Sequence, residues 1–323
     1  VLRNIARNRD GIKYPDKNTS PLEYYSVEYS VPVELVEILL QDYDSETVDR
    51  ILGSSYEMRP TSIRVNTDRI SVDEFERKLE AAGIETVRGS LNDTSLLIKG
   101  YDYVRRIPGF MDGEFVVQDQ SSCLAVKAAG IQEGDLVVDV CAAPGGKTMY
   151  AASLAGQTGR VISRDLTENK TELIEENVDR LGLTNVTVEA WDARELDENL
   201  VGKADVVIAD LPCSGLGIMG RKNDIKYNVT GDSIDELAQL QRDILDTVSG
   251  YVRPGGTLVY STCTIDSREN QNNVKWFVEN HDFETVSIDE IVPGHGGDKG
   301  YVTLLQGVDE CDGFFISKFV RTK

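Results

Sequence analysis

The chain has few of the side chains from which metal centres and hydrolytic triads are usually built. Its 323 residues include only two histidines, His281 and His295. The five cysteines are odd in number and none belongs to a C-x-x-C pair. These counts argue against a Ser-His-Asp triad, a structural zinc site and a disulfide framework. We therefore expect no bound metal, and free cysteines are typical of a reducing cytoplasm.

Long apolar runs and excess positive charge are also missing. No run approaches the roughly 18 apolar residues that a transmembrane helix needs, so we expect no membrane partner. The chain carries 34 basic and 55 acidic side chains, a net charge of −21. This balance argues against broad nonspecific binding to nucleic acid, although local basic clusters could still bind RNA.

The order of predicted elements indicates an α/β protein with three parts. Residues 1–55 are predicted to be a helical lead-in, with one helix over 31–53, and residues 56–115 a small α/β domain. Residues 116–323 alternate apolar strands with helices, the last helix over about 266–280, which is typical of a doubly wound parallel sheet. Ligands of such sheets lie beyond the carboxyl ends of the strands.

The first strand of this large domain leads into a glycine-rich turn, Cys141–Thr148, that two kinds of ligand would fit. The turn matches a phosphate-binding P-loop except at its first position, where Cys141 replaces glycine. It would equally suit a nucleoside cofactor, because Asp165 ends the second strand, where a carboxylate can bind ribose hydroxyls. Asp192 follows the third strand, in a position suited to an adenine amino group.

Two cysteines stand at the ends of the fourth and fifth strands of the large domain. Cys213 follows Asp210 by three residues, and Cys263 follows the strand that ends near Ser261. A thiolate is a nucleophile, but no histidine is near in sequence to act as its base. This pattern favours thiolate addition to an electrophilic ring over acyl transfer of the papain type.

Five segments resemble the RsmB/Nop/Sun family of RNA cytosine-5 methyltransferases. Cys141–Thr148, Asp210–Gly215 and Tyr260–Thr264 are similar to its motifs I, IV and VI. Ser62–Asn66 resembles the N-terminal signature, and Gly113–Leu124 resembles the entry to the catalytic domain. The resemblance implies a Rossmann-like methyltransferase sheet preceded by a small RRM-like domain.

The resemblance also implies roles for individual residues. Cys263 would attack C6 of cytosine, Cys213 would assist release, and Asp210 would hold the N3/N4 edge of the base. S-adenosyl-L-methionine would be held by ten residues: Cys141, Ala142, Ala143, Pro144, Gly145, Gly146, Lys147, Asp165, Asp192 and Asp210. The RNA contacts would be Arg64, Arg221, Lys222 and Lys226, with Arg105, Arg106 and Tyr227 as further candidates.

Within the family, the segment from Cys213 to Ile225 resembles the bacterial 16S ribosomal RNA enzymes, so we expect 16S rRNA as the substrate. We also expect the protein to be a monomer. Those enzymes carry a NusB-like helical domain first, and Val1–Asn8 resembles the end of its last helix. We therefore expect that this domain has been removed. Leu211 and Arg164 depart from the family pattern. A P-loop NTPase and a non-catalytic RNA-binding assembly factor remain alternatives.

Overall fold

The computed structural model describes residues 2–8, 11 and 13–323, and it begins with helices. These are α1 (Leu2–Arg7), α2 (Pro21–Glu28), α3 (Val33–Asp42) and α4 (Ser45–Ser54). Val1 of the predicted N-terminal helix lies outside the described residues. No helix in this described part is long and apolar enough to cross a membrane.

The single helix predicted over 31–53 is wrong, because the chain breaks between α3 and α4. Tyr43 is extended (φ −130°, ψ 148°), and the Asp44 carboxylate accepts the backbone N–H of Thr47 at 2.8 Å. An aspartate in this position satisfies a free donor at a helix start, so it begins a second helix instead of continuing the first.

The small domain is an antiparallel sheet crossed by one helix. Its elements are β1 (Thr61–Val65), α5 (Val72–Ala81), β2 (Glu85–Arg88), β3 (Ser95–Lys99) and β4 (Phe115–Val117). The strand order is β2-β3-β1-β4. Ser71 caps α5, and Glu74 completes a reciprocal capping box. The predicted boundary at 115/116 falls inside β4, which pairs with β1.

The large domain contains the predicted doubly wound sheet. Its strands are β5 (Leu136–Asp139), β6 (Arg160–Asp165), β7 (Val186–Ala190), β8 (Ala204–Asp210), β9 (Val252–Thr262), β10 (Phe283–Thr285), β11 (Tyr301–Leu304) and β12 (Phe314–Arg321). The order is β10-β12-β9-β8-β5-β6-β7, with β11 on β12. Strands β5 to β9 are parallel, whereas β10, β11 and β12 pair antiparallel.

Helices cover both faces of this sheet. They are α6 (Gln120–Ala129), α7 (Gly146–Ala155), α8 (Glu168–Leu181), α9 (Ile225–Asn228), α10 (Gly231–Ser249) and α11 (Gln271–Asn280). Alternate strand residues face opposite layers: Val137 packs with α6 and α7, and Val138 with α10 and α11. This double burial explains why the parallel strands are continuously apolar.

The C-terminal part differs most from the predicted elements. Strands β10 and β11 were not predicted, and α11 begins at Gln271 instead of near residue 266. The chain between Cys263 and Asn270 is a loop, and its side chains bond to the neighbouring loops. Helices α3 and α4 pack on these same loops, since Leu39 and Ile51 share a buried cluster with Leu216 and Ile265.

Two backbone segments approach closely where the loop after β8 meets the start of β12. Gly217 N–H donates to the carbonyl of Cys263 at 3.0 Å, and Gly313 N–H donates to the carbonyl of Gly217 at 2.8 Å. A Cβ on Gly217 would collide with the Gly313 carbonyl and would stand 2.8 Å from that of Cys263. Only glycine therefore fits this crossing.

We predict that Gly217→Ala lowers the free energy of unfolding by about 1–3 kcal/mol, the range for forcing atoms into a filled site. Denaturant titration measures the change. Gly231→Ala is the matched control, because its Cβ would meet nothing nearer than 3.6 Å. Equal stabilities of the two variants would contradict the close approach.

Candidate active site

The carboxyl ends of β5, β6, β8 and β9 open into a cleft of about 390 Å³. Of the predicted cofactor residues, Cys141, Ala143, Asp165, Asp192 and Asp210 line it. Cys213 and Cys263 lie in the same cleft. Its volume is within the range of ordinary small-molecule sites. The structure thus brings the two predicted catalytic cysteines and five of the ten predicted cofactor residues to one place.

The glycine turn connects β5 to α7. Gly145 has a left-handed backbone (φ +100°), and its N–H donates to the Ala142 carbonyl at 2.7 Å. A Cβ there would lie 3.3 Å from Ile174 of α8, so glycine lets the turn pack tightly. Ala142, Pro144, Gly145 and Gly146 shape the turn without lining the cleft itself.

Asp165 lies at the end of β6 with its carboxylate buried against the glycine turn. Its Oδ2 accepts the N–H of Ala143 at 2.9 Å, and its Oδ1 accepts the N–H of Leu166 at 2.8 Å. Lys170, which is exposed, also reaches Oδ1 at 2.9 Å. Oδ2, which has one donor, keeps a second lone pair for a ligand. The residue therefore suits the ribose hydroxyls of a nucleoside cofactor.

Arg164, to which the sequence analysis assigned no function, supports the wall of the cleft. Its buried guanidinium bonds to Glu189 and Asp197 and lies 4.6 Å from the ring centre of Trp191. Trp191 and Asp192 line the cleft, and Asp192 pairs with Arg194 at 2.6 Å. The sequence signal for this role was an arginine inside an apolar strand. Its partners Glu189 and Asp197 lie 25 and 33 positions further along the chain, so the sequence alone did not connect them to Arg164.

The Lys147 side chain does not line the cleft. It is buried, and its Nζ lies 2.6 Å from Asp210 Oδ2. Although burial opposes its charge, the Asp210 carboxylate holds the pKa of Lys147 above its usual value. A P-loop lysine would have to reach phosphates, and three carboxylates in the cleft would repel them. These contacts favour a nucleoside cofactor without phosphates over a nucleoside triphosphate.

The sulfur atoms of Cys213 and Cys263 lie 3.4 Å apart. Either thiol can donate across this contact; when Cys213 donates, the hydrogen bond lowers the pKa of Cys263 against burial and the negative charge of Asp210. The nearby Lys147 ammonium acts in the same direction. The same hydrogen bond and burial raise the pKa of Cys213. Cys263 is therefore the thiol that ionises first.

Two of the predicted RNA contacts, Arg64 and Lys226, have buried side chains. Arg64 is 3% exposed, bonds to Gln118 and stacks over Tyr150. Lys226 is also 3% exposed and donates to Ser55 Oγ at 2.8 Å.

The other predicted RNA contacts remain on the surface. Arg221 is held by Asp312 at 3.1 Å, while Lys222 is exposed on the same loop. Arg105, Arg106 and Tyr227 are also exposed. Among the described residues no group of three or more His, Cys, Asp or Glu side chains could hold a metal ion.

The fold and this cleft define the chain as an S-adenosylmethionine-dependent methyltransferase. The family model described as 16S rRNA methyltransferase RsmB/F matches residues 127–320. A second, described as an RsmF/B-like ferredoxin-like domain, matches residues 31–104. The chain therefore belongs to the RsmB/F family of RNA methyltransferases, as the motif resemblance predicted.

Named relatives agree over nearly the whole chain. It is 36% identical to a protein named probable ribosomal RNA small subunit methyltransferase B of Bacillus subtilis, covering 98% of this chain and 71% of the relative. It is 32% identical to ribosomal RNA small subunit methyltransferase F of Cronobacter sakazakii, covering 81% and 57%. A solved methyltransferase homologue from Pyrococcus horikoshii superposes with a TM-score of 0.81 at 26% identity, covering 94% and 99%.

We predict that Asp165→Ala weakens S-adenosylmethionine binding by about 1–3 kcal/mol, since hydroxyls that lose a buried partner cost this much. Isothermal titration calorimetry measures the affinity. Asp205→Ala is the control, because that carboxylate accepts the Leu136 N–H at the opposite end of the sheet. Unchanged affinity of the Asp165 variant would remove this residue from the cofactor site.

Proposed function

We propose that the protein methylates C5 of a cytosine in 16S ribosomal RNA through a covalent bond between Cys263 and C6. The observation that carries the proposal is the contact of Cys263 and Cys213 in the cofactor cleft. The names of the relatives above support small-subunit rRNA as the substrate. The proposed reaction needs three steps from this chain: addition of the Cys263 thiolate to C6, proton transfer to the ring, and release of Cys263.

Addition of a thiolate is the step that makes the ring reactive. Cytosine C5 is a weak nucleophile, but addition at C6 gives an enamine whose C5 carries electron density. Cys263 is suited to this step, because Cys213 and Lys147 both favour its charged form. S-adenosylmethionine, when bound, supplies the electrophilic methyl group.

Asp210 lines the cleft together with the two cysteines and is proposed to hold the N3/N4 edge of the base. Its Oδ1 accepts Ser261 Oγ at 2.8 Å, and its Oδ2 accepts Lys147 Nζ. These two donors fix the orientation of the carboxyl group. Addition at C6 places negative charge on the ring, which is offset when a proton passes from the Lys147 ammonium through Asp210 to N3.

Release requires the C5 proton to leave and the bond between C6 and Cys263 to break. Cys213 is the side chain placed to assist, because its sulfur contacts the nucleophile. Because its pKa is raised by the Cys263 partner, Cys213 is protonated before the reaction begins. Once Cys263 is bonded to C6, Cys213 can lose its proton to water, and the resulting thiolate can accept the C5 proton as the C6–S bond breaks. The two cysteines therefore have different protonation states and are proposed to have different roles.

RNA would have to present an unstacked base to this cleft. Arg221 and Lys222 belong to the loop that follows Cys213, so a strand held there would be close to the nucleophile. Lys222 is exposed and Arg221 is partly committed to Asp312. We propose this loop as the RNA contact nearest the active site.

The two cysteine variants are predicted to fail differently. Cys263→Ser should abolish methylation and form no RNA adduct, because a neutral hydroxyl adds poorly to C6. Cys213→Ser should still add to the base and then stall at release. An SDS gel with target RNA and S-adenosylmethionine shows the stalled complex as a slowly migrating band.

Cys123→Ala, at a buried cysteine in the core of the large domain, is the control for a general loss of stability. An adduct with Cys263→Ser but not with Cys213→Ser would reverse the two roles. Absence of an adduct in both variants, together with normal methylation, would exclude the covalent mechanism.

A further inference from the structure

A buried polar cluster lies behind the two cysteines and consists of Glu269, Asn270, Gln241, Ser214 and Thr264. Glu269, Asn270 and Gln241 are 0% exposed. Glu269 and Asn270 are consecutive residues of the loop before α11, and Gln241 lies on α10. Burying an acid and two amides is costly unless their hydrogen bonds are satisfied, so their bonding partners indicate what the cluster does.

Glu269 and Gln241 hold both residues that flank Cys213. The Glu269 carboxylate accepts the N–H of Ser214 at 3.0 Å and also its hydroxyl. Gln241 donates from one amide nitrogen to Glu269 at 2.8 Å and to the carbonyl of Pro212 at 2.9 Å. The backbone on either side of Cys213 is therefore fixed from behind.

Asn270 holds both residues that flank Cys263. Its Oδ1 accepts the Thr262 hydroxyl at 2.6 Å, and its Nδ2 donates to the carbonyl of Thr264 at 3.0 Å. The hydroxyls of Ser214 and Thr264 meet at 2.7 Å and join the two halves of the cluster. The Glu269–Asn270 dipeptide thus bonds both to the loop that carries Cys213 and to the loop that carries Cys263.

A carboxylate suits this place because its oxygens accept several donors at once. Three donors converge on Glu269: the Ser214 N–H, the Ser214 hydroxyl and the Gln241 amide. Hydrogen bonds to a charged acceptor are stronger than those between neutral groups. An amide in place of Glu269 would keep one acceptor oxygen but lose the charge and the second acceptor, and this would weaken the hold on the loop.

We propose that Glu269 and Asn270 are positioning residues that hold Cys213 against Cys263 and thereby set the reactivity of the nucleophile. The proposal rests on the proposed role of Cys263 as nucleophile. Neither residue touches the cleft, so they act through the backbone of their neighbours. Loss of the unit should separate the two sulfur atoms and remove the hydrogen bond that favours the Cys263 thiolate.

The test is the pH dependence of Cys263 alkylation by iodoacetamide, followed by mass spectrometry of the Cys263 peptide. The groups that face Cys263 are Cys213, Asp210 and Lys147, and Glu269→Gln leaves all three in place. We expect the midpoint of alkylation to move up by about one pH unit. We also expect kcat for RNA methylation to fall by roughly 10²-fold while KM for S-adenosylmethionine stays unchanged.

Thr262→Val is a second variant for the case in which Glu269→Gln does not fold. It removes the hydroxyl that Asn270 accepts and keeps the side-chain shape, so it should shift the alkylation profile in the same direction. Glu279→Gln, an exposed site on α11, is the matched charge control. Val248→Ala controls for lost stability, because Val248 is buried in α10.

Wild-type alkylation midpoints in both folded variants would overturn the proposal, as would an equal shift in Val248→Ala. Alkylation needs neither RNA nor cofactor, so it separates this proposal from the proposed function. A shifted midpoint in a protein that forms no 5-methylcytosine would contradict the function and leave the positioning role intact.

Discussion

The contact between two sulfur atoms at the ends of β8 and β9 is the constraint on which the active site depends. These strands pair in parallel with Asp210 opposite Ser261. Cys213 and Cys263 follow those positions by three and two residues, so the register alone brings them to the same edge. A slip of one residue would move every side chain to the other face and separate the pair.

The electrostatics of the cleft follow from the same strand ends. Asp165 ends β6 and Asp210 ends β8, on either side of β5. Lys147, at the end of the glycine turn, pairs with Asp210. Lys147 is buried and Asp210 is partly exposed, so the Lys147 charge is only weakly screened from the adjacent thiol. One cation therefore serves two purposes: it satisfies Asp210 and favours the Cys263 thiolate.

The strand ends could be predicted from sequence because apolar runs and the residues after them are local features. Asp165, Asp210, Cys213 and Cys263 were predicted at strand ends for this reason, and they line one cleft in the structure. Burial of Arg64 and Lys226 could not be predicted, since it depends on Tyr150 and Tyr56 from distant elements. A charged side chain looks exposed in sequence until its partner is known.

The supports of the site were also beyond local analysis. Glu269 and Asn270 lie in a stretch predicted as helix, but their side chains bond to two other loops and the helix begins later. Arg164 likewise finds its partners on β7 and the following loop. Such residues are recognised only when the fold brings the loops together.

The most direct measurement of the central claim, thiolate-assisted methylation at C5, uses RNA whose cytidines carry tritium at C5. The account predicts that each methyl group transferred from S-adenosylmethionine releases one tritium to water, because the C5–H bond must break. Methyl transfer with the tritium retained in the RNA would place the reaction on another atom and contradict the account.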